Sequence, residues 1–210
     1  MTTVAILDYG MGNLRSVEKA LERQGAAASV TRNHAAIRAA DGIVLPGVGA
    51  FPKAMRNLRE LGLDRLLEEL VPKGVPTLGI CLGMQLLFES STENEGSSGL
   101  GFFKGTVERL PAPGLKVPLM GWNPVTWARR SSLTEGLPDQ PPFYFVHSFA
   151  PVGVEEEARL GVAHYGEPFV CAVERHNLFG VQFHPEKSSA HGLRMLGNFT
   201  AVCAAVGAPS

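Results

Sequence analysis

Strand and helix signals alternate over the first eighty residues of this 210-residue chain, and this alternation constrains its fold more than any other feature. Short apolar runs predict buried strands, and the stretches between them repeat apolar residues at helical spacing. The predicted order is strand 4–7, helix 14–24, a weak strand 29–31, strand 42–45, helix 53–70 and strand 76–80. Strands that alternate with helices form βαβ units. We therefore predict an α/β fold with a mostly parallel central sheet flanked by helices.

The second half of the chain has a different character. A polar segment rich in Ser, Gly and Glu covers residues 90–101, and short β-type segments punctuated by prolines follow it. These segments are 106–110, 125–128, 143–149, 161–164, 170–174 and 178–183. Their spacing predicts antiparallel strands added to the parallel sheet, and residues 189–206 have the spacing of a closing helix. The sequence has no internal repeat and no linker, so we expect one domain over residues 1–210.

Composition narrows the classes of function. The formal net charge is −1, whereas a nucleic-acid platform usually has a basic excess. No apolar run reaches the ~20 residues of a membrane-spanning helix, and the first residues lack the basic region of a signal peptide. The three cysteines lie far apart and do not suggest a disulfide framework, so we expect a reduced, cytoplasmic protein. The spacing of Cys and His predicts no metal site.

Cys81 is the first candidate for a catalytic residue. It lies between Gly79 and Gly83, where a predicted strand meets a predicted helix over residues 82–89. This is the thiol form of a nucleophile elbow, and the first amides of the helix would favour the thiolate. A lone cysteine is more often a small buried apolar residue. Packing alone gives no reason for a glycine on each side, which favours a nucleophile.

A histidine and a carboxylate follow a later predicted strand. His184 comes directly after strand 178–183, and Glu186 two residues on can lie on the same side of an extended chain. A thiol needs such a base, with a group that orients it, to act as a nucleophile. In isolation the pair would be a surface histidine and a solvated glutamate. Together with Cys81, it predicts a cysteine hydrolase or acyl-transfer enzyme.

The turn Pro46-Gly47-Val48-Gly49 directly follows a predicted buried strand. An acyl-transfer enzyme must stabilise a tetrahedral oxyanion, and backbone amides can do so. We expect the Leu82 N–H to be one donor and the Val48 or Gly49 N–H to be the other. In isolation, the same four residues would be an ordinary Pro-Gly turn.

The glycines after the first strand do not form a dinucleotide-binding motif. Gly10 and Gly12 are present, but Arg15 stands where the third glycine of that motif belongs. We therefore predict no cofactor. The loop remains a candidate contact with a substrate or a partner protein.

With these motifs in view, the sequence resembles the class I (triad) glutamine amidotransferases almost from end to end. Within that family it is similar to the glutaminase subunits of imidazole glycerol phosphate synthase, which belong to histidine biosynthesis. The motifs are Asp-Tyr-Gly-Met-Gly-Asn-Leu at 8–14, Pro-Gly-Val-Gly at 46–49, Gly-Ile-Cys-Leu-Gly-Met-Gln-Leu-Leu-Phe at 79–88, Gly-Trp-Asn at 121–123, Tyr-Phe-Val-His-Ser at 144–148 and Phe-His-Pro-Glu-Lys-Ser at 183–188. Most of the wider family has Pro-Gly-Gly at the oxyanion turn, so Pro-Gly-Val-Gly indicates the narrower group. The resemblance implies a flavodoxin-like fold.

The resemblance also implies a role for each site residue. Cys81 would be the nucleophile, His184 the base and acid, and Glu186 the group that orients it. Val48 would turn its amide into the oxyanion hole, with Gly49 and Leu82 beside it, when a partner signals. The implied glutamine-binding residues are Gly49, Gln85 and Glu93, with main-chain contacts from Ser148 and Phe149. The implied interface residues are Asn13, Trp122, Asn123, Tyr144 and Lys187.

The implied activity is hydrolysis of L-glutamine to glutamate and ammonia through a cysteinyl thioester. The ammonia would pass to a separate (β/α)8-barrel cyclase subunit, in a heterodimer that makes imidazole glycerol phosphate and AICAR. Two positions depart from the usual family sequence: Leu119 stands in place of a histidine and Phe149 in place of a tyrosine.

Three other interpretations of the sequence stay open. One is a class I glutaminase subunit of another pathway, such as pyridoxal phosphate synthesis, against which Pro-Gly-Val-Gly and Gly-Trp-Asn argue. Another is a partner-free hydrolase of damaged proteins or peptides, which would not need Glu186 or Gln85. The last is a degenerate interaction subunit, which the intact Cys81, His184 and Glu186 disfavour.

Overall fold

The computed structural model describes residues 1–206. The strands are β1 Thr3–Leu7, β2 Ala27–Thr31, β3 Gly42–Leu45, β4 Thr77–Ile80, β5 Phe88–Ser91, β6 Ser97–Ser98, β7 Phe103–Arg109, β8 Leu119–Pro124, β9 Thr126–Trp127, β10 Pro142–His147, β11 Phe149–Val152, β12 Arg159–Tyr165, β13 Glu167–Arg175 and β14 Leu178–Val181. The α-helices are α1 Leu14–Glu22, α2 His34–Arg38, α3 Phe51–Glu60, α4 Leu63–Leu70, α5 Leu82–Leu86 and α6 Ser189–Val206. Within residues 1–206, no helix is long and apolar enough to cross a membrane.

The largest sheet has eight strands in the order β2-β1-β3-β4-β14-β13-β12-β9. The first five of these are joined by parallel pairs, and the last three are added antiparallel. Two smaller sheets accompany it, one of β10 and β8 and one in the order β11-β7-β5-β6. The predicted α/β fold with a mostly parallel central sheet and added antiparallel strands is confirmed.

The central strands carry apolar side chains that are buried on both faces of the sheet, as expected for parallel strands covered by helices. All residues of β3, β4 and β14 are buried. One face packs against α1 and α6 in a cluster that includes Leu21 and Phe199. The other face packs against α3, α4 and α5 in a cluster that includes Phe51 and Leu67.

Two predicted helices have different limits in the structure. The predicted helix 53–70 is in fact α3 and α4, which are separated at Gly62, a residue with a φ of +65° that favours glycine. The predicted helix 82–89 ends at Leu86, because Phe88 begins β5 and pairs with Phe103 of β7. The sequence prediction also missed α2, β6, β8 and β11.

This topology gathers several loops at one edge of the sheet. In parallel α/β sheets, functional groups lie at the carboxyl ends of the strands. Neighbouring strands β1, β3, β4 and β14 run parallel, so the segments that follow them meet at that edge. The contact is direct between β4 and β14, where the Cys81 N–H donates to the Val181 carbonyl at 2.7 Å.

Candidate active site

Cys81 sits in a sharp turn between β4 and α5. Its φ of +54° and ψ of −110° are unusual for a residue with a side chain. A Cβ on Gly79 would lie 2.8 Å from the backbone of Gly83, and a Cβ on Gly83 would lie 1.7 Å from the Leu45 carbonyl oxygen. The two glycines are therefore required because β3, β4 and α5 approach one another closely at this turn. The predicted elbow geometry is present.

His184 and Glu186 form a buried pair. His184 Nδ1 donates to Glu186 Oε1 at 2.8 Å, and their side chains are 1% and 0% exposed. The backbone is fixed as well, since the His184 N–H donates to the Tyr144 carbonyl at 2.9 Å. Burial lowers the pKa of His184, but interactions with Cys81 and Glu186 outweigh burial and raise the pKa to about 9. His184 is thus protonated at neutral pH and places a positive charge beside Cys81.

A cleft of about 340 Å³ opens in front of Cys81. It brings together the predicted nucleophile, the predicted oxyanion residues and the predicted glutamine-binding residues, whereas His184 and Glu186 are not part of its lining. The lining residues are Val48, Gly49, Cys81, Leu82, Gln85, Glu93, Pro118, Val146, His147, Ser148 and Phe149. Glu93 is the one carboxylate among these lining residues.

The polar side chains of the cleft are tied to the backbone around it. Gln85 Nε2 donates to the Phe149 carbonyl at 3.0 Å and to Gln182 Oε1 at 3.1 Å. Glu93 Oε2 accepts a hydrogen bond of 2.7 Å from the N–H of Phe51, the first residue of α3. Because α3 directly follows the 46–49 turn, Glu93 links the cleft to the base of that turn.

His147 is a residue of the cleft that the sequence analysis did not single out. Burial lowers its pKa to about 4, so the ring is neutral at neutral pH. Its Nδ1–H donates to the Phe149 carbonyl at 2.9 Å, the same oxygen that Gln85 holds. His147 therefore fixes the main chain at Ser148 and Phe149, and its position in the Tyr-Phe-Val-His-Ser motif was the signal that could have found it.

An exposed apolar surface lies on the two-stranded sheet of β8 and β10. Trp122 is 54% exposed and Met120 is 65% exposed. Of these two residues, only Trp122 was predicted at the interface from the sequence. Trp122 pairs in register with Tyr144, and their rings contact edge to face with centroids 6.1 Å apart. Lys187 is exposed. Large exposed aromatic and thioether side chains that share one surface are typical of a protein-binding site.

Other residues predicted at the interface make contacts within the chain. Asn13 Nδ2 donates to Glu186 Oε1, the oxygen that also accepts from His184. Asn123 Nδ2 donates to the His164 carbonyl at 2.7 Å. Leu119, one of the two departures from the family sequence, is buried rather than exposed, and pairs with His147 across β8 and β10.

Within the described residues 1–206, no group of three or more His, Cys, Asp or Glu side chains could hold a metal ion. The cleft presents a thiol, amide groups and one carboxylate. This set suits covalent attack by sulfur on a small polar substrate.

Comparison with known proteins identifies the family. The model of the family "Glutamine amidotransferase class-I" matches residues 5–203. Imidazole glycerol phosphate synthase subunit HisH of Moorella thermoacetica is 53% identical over 199 residues, which cover 95% of this chain and 94% of the relative. The HisH subunit of Aquifex aeolicus is 49% identical over 200 residues, which cover 95% and 96%.

Solved structures with lower identity share the fold. A glutamine amidotransferase aligns with a TM-score of 0.75 at 22% identity, covering 96% of this chain and 98% of the other. PurLQS of Thermotoga maritima aligns with a TM-score of 0.75 at 17% identity, covering 94% and 97%. The match over residues 5–203 and the close relatives agree with the resemblance in the sequence motifs. The chain belongs to the class-I glutamine amidotransferase family and, within it, to the group of HisH subunits of imidazole glycerol phosphate synthase.

Proposed function

We propose that this chain, as one glutamine amidotransferase domain in the cytoplasm, hydrolyses L-glutamine and supplies the ammonia to a separate cyclase subunit in histidine biosynthesis. The observation that carries the proposal is the cleft in front of Cys81, together with the buried His184–Glu186 pair, whose imidazole interacts with Cys81. Relatives about 50% identical carry the HisH name, and so a role in another pathway, such as pyridoxal phosphate synthesis, is not favoured.

The first half of the reaction forms a thioester. The Cys81 thiolate attacks the side-chain carbonyl carbon of glutamine, and a C–S bond forms. The N–H groups of Leu82 and of Val48 or Gly49 stabilise the oxyanion. Protonated His184 donates its proton to the departing nitrogen as the C–N bond breaks, which releases ammonia. A γ-glutamyl thioester on Cys81 remains.

The second half regenerates the enzyme. Neutral His184 accepts a proton from water, and the resulting hydroxide attacks the thioester carbon. The C–S bond breaks, the new γ-carboxyl group loses its proton to solvent as glutamate leaves, and the thiolate and the protonated imidazole are restored. Glu186 holds the imidazole in one orientation through both halves, since its Oε1 accepts from Nδ1 and leaves Nε2 for proton transfer.

Recognition of glutamine follows from the lining of the cleft. Glu93 is the one carboxylate in the lining and suits the α-ammonium group of the substrate. Gln85 and the main chain at Ser148 and Phe149 supply uncharged polar groups. His147 and Gln85 together hold the Phe149 carbonyl, so this wall of the cleft is formed before the substrate binds.

The partner we propose is a (β/α)8-barrel cyclase, bound as a heterodimer. Free ammonia in neutral water is largely protonated and no longer nucleophilic, so the reaction requires direct transfer to the second subunit. The exposed Met120 and Trp122, with the partly buried Tyr144, would provide the contact, together with Asn123, Lys187 and Asn13.

The proposed function is tested by mixing the purified chain with the cyclase subunit, its nucleotide ligand and L-glutamine. We expect glutamate and the nitrogen-containing product of the cyclase in equal amounts, and a stable complex of the two chains by gel filtration. A chain that forms no glutamate in this mixture would contradict the proposal. Hydrolysis of peptides in the absence of the cyclase would favour the partner-free hydrolase instead.

Replacing Glu186 with glutamine is expected to reduce kcat about 100-fold, because the group that orients His184 and favours its protonated form is lost.

The same variant should also show how protonation of His184 stabilises the fold. The pKa of folded His184 is raised to about 9, above its unfolded value of 6.5. The stabilisation is therefore complete below pH 6.5 and is lost as the pH rises through about 9.

Urea unfolding at a series of pH values provides the measurement. The difference in unfolding free energy between the unmodified chain and Glu186→Gln should be largest below pH 6.5 and should shrink as the pH rises through about 9. Glu60→Gln, at an exposed position on α3, is the matched control and should change neither kcat nor the pH profile. A difference that stays constant with pH would show that the pair does not stabilise protonated His184.

A further inference from the structure

Tyr9 lies directly beneath the 46–49 turn. It belongs to the loop between β1 and α1, and its side chain is 1% exposed. Its hydroxyl donates a hydrogen bond to the carbonyl of Pro46, the first residue of the turn. A buried tyrosine hydroxyl normally has one specific partner, so this bond fixes where the ring and the carbonyl sit relative to each other.

The hydroxyl also touches the next residue of the turn. A Cβ on Gly47 would lie 2.3 Å from the Tyr9 oxygen, 3.4 Å from Tyr9 Cζ and 3.4 Å from Leu82 Cβ. Gly47 therefore packs on the hydroxyl itself, beside the first residue of α5. The two amides proposed for the oxyanion hole, those of Val48 and Leu82, flank this contact.

The rest of the loop supports the same turn. A Cβ on Gly49 would lie 2.6 Å from Met11 Cε, and a Cβ on Gly12 would lie 3.2 Å from Val48 Cγ2. The loop is itself held in place, since Asn57 Nδ2 of α3 donates to the Tyr9 carbonyl at 2.9 Å.

The tyrosine keeps its proton in this environment. Burial raises the pKa of Tyr9, and a negative charge on nearby Cys81 raises it further. The hydroxyl thus stays protonated at neutral pH and can donate to the Pro46 carbonyl.

We infer that Tyr9 is a positioning residue for the oxyanion turn. Its hydroxyl holds the Pro46 carbonyl and the Gly47 backbone in place, so that only the peptide groups after Gly47 reorient when the Val48 amide enters the oxyanion hole. This inference rests on the proposed glutaminase function. It predicts an effect on the chemical step and none on glutamine binding, because Gln85 and Glu93 have no contact with Tyr9 among the described hydrogen bonds.

Tyr9→Phe removes the hydroxyl and keeps the ring. With the cyclase bound, we expect kcat for glutamate formation to fall about 10-fold, less than the loss of a whole oxyanion donor. The KM for glutamine should stay within about twofold. The rate at which iodoacetamide alkylates Cys81 should not change, because alkylation uses the thiolate but forms no oxyanion. Melting temperatures confirm that the variants are folded at the assay temperature.

An unchanged kcat would overturn the inference, as would a loss of kcat matched by equal losses in alkylation rate and in affinity for glutamine. The second pattern would mean that Tyr9 only supports the fold. Failure of the proposed function looks different, because the unmodified chain itself would then form no glutamate with the cyclase.

A second variant tests the contact directly. Gly47→Ala puts a methyl group 2.3 Å from the Tyr9 oxygen, whereas the nearest ring atom, Cζ, is 3.4 Å away. Removing the hydroxyl therefore makes room for the methyl group. We expect Gly47→Ala to lower kcat and melting temperature more in the unmodified chain than in Tyr9→Phe. Additive effects of the two substitutions would show that the Tyr9 hydroxyl does not contact Gly47, and would remove the packing on which the inference rests.

Discussion

Replacing Cys81 with alanine is expected to reduce glutamate formation more than about 10⁴-fold, even with the cyclase bound. Without the sulfur no thioester forms, and the remaining amides and His184 have no nucleophile to assist. Cys81 is 5% exposed and does not belong to the surface of Met120 and Trp122, so the variant should still bind the cyclase. Glutamate release and mass spectrometry of the acylated chain measure the loss.

The other two cysteines provide matched controls. Cys171 in β13 and Cys203 in α6 are fully buried, and burial raises the pKa of both thiols. Cys171→Ala and Cys203→Ala should keep kcat within about twofold at temperatures where they are folded, since neither lines the cleft. Iodoacetamide should label Cys81 alone in the native chain. Activity that survives Cys81→Ala would undo the assignment of the nucleophile.

Local sequence was sufficient to predict the parts of the fold that depend on local patterns. The buried runs of β1, β3, β4 and β14 and the apolar spacing of α6 were readable because burial on both faces and helical periodicity leave clear signatures. The limits of α5 were not readable. Its last turn is replaced by β5 because Phe88 packs against Phe103, with ring centroids 5.7 Å apart, and that contact is tertiary.

The candidate site also has residues that local sequence motifs predict and contacts that only the tertiary structure reveals. Cys81 and its flanking glycines, His184 and Glu186 carry motifs, and the structure brings them to one edge of the sheet. The contact of Tyr9 with Pro46 joins residues 37 positions apart, and that of Asn13 with Glu186 joins residues 173 positions apart. Such pairs become visible only once neighbouring strands place their loops side by side.

The cyclase is expected to raise the glutaminase rate by about 10² to 10³, the effect of supplying one oxyanion donor. Val48 belongs both to the exposed surface of the chain and to the cleft of Cys81. Its side chain is 37% exposed, while its backbone lies in the turn that lines the cleft of Cys81. A partner that packs on the side chain can therefore select the orientation of the amide. We expect that the turn is not held in that orientation without the cyclase, so the free chain should be nearly idle. Steady-state glutamate formation with and without saturating cyclase gives the ratio.

Docking and activation can be separated by the choice of variant. Trp122→Ala should weaken cyclase binding about 30-fold, as expected for a central exposed aromatic residue, and leave the rate at saturation unchanged. Val152→Ala alters a 36% exposed apolar residue on a different sheet and should change neither quantity. Equal rates with and without the cyclase would rule out the Val48 switch while leaving Cys81 as the nucleophile. If the glutaminase rate of Trp122→Ala rises to the same level but needs higher cyclase concentrations, the surface around Trp122 governs binding and the 46–49 turn governs the rate.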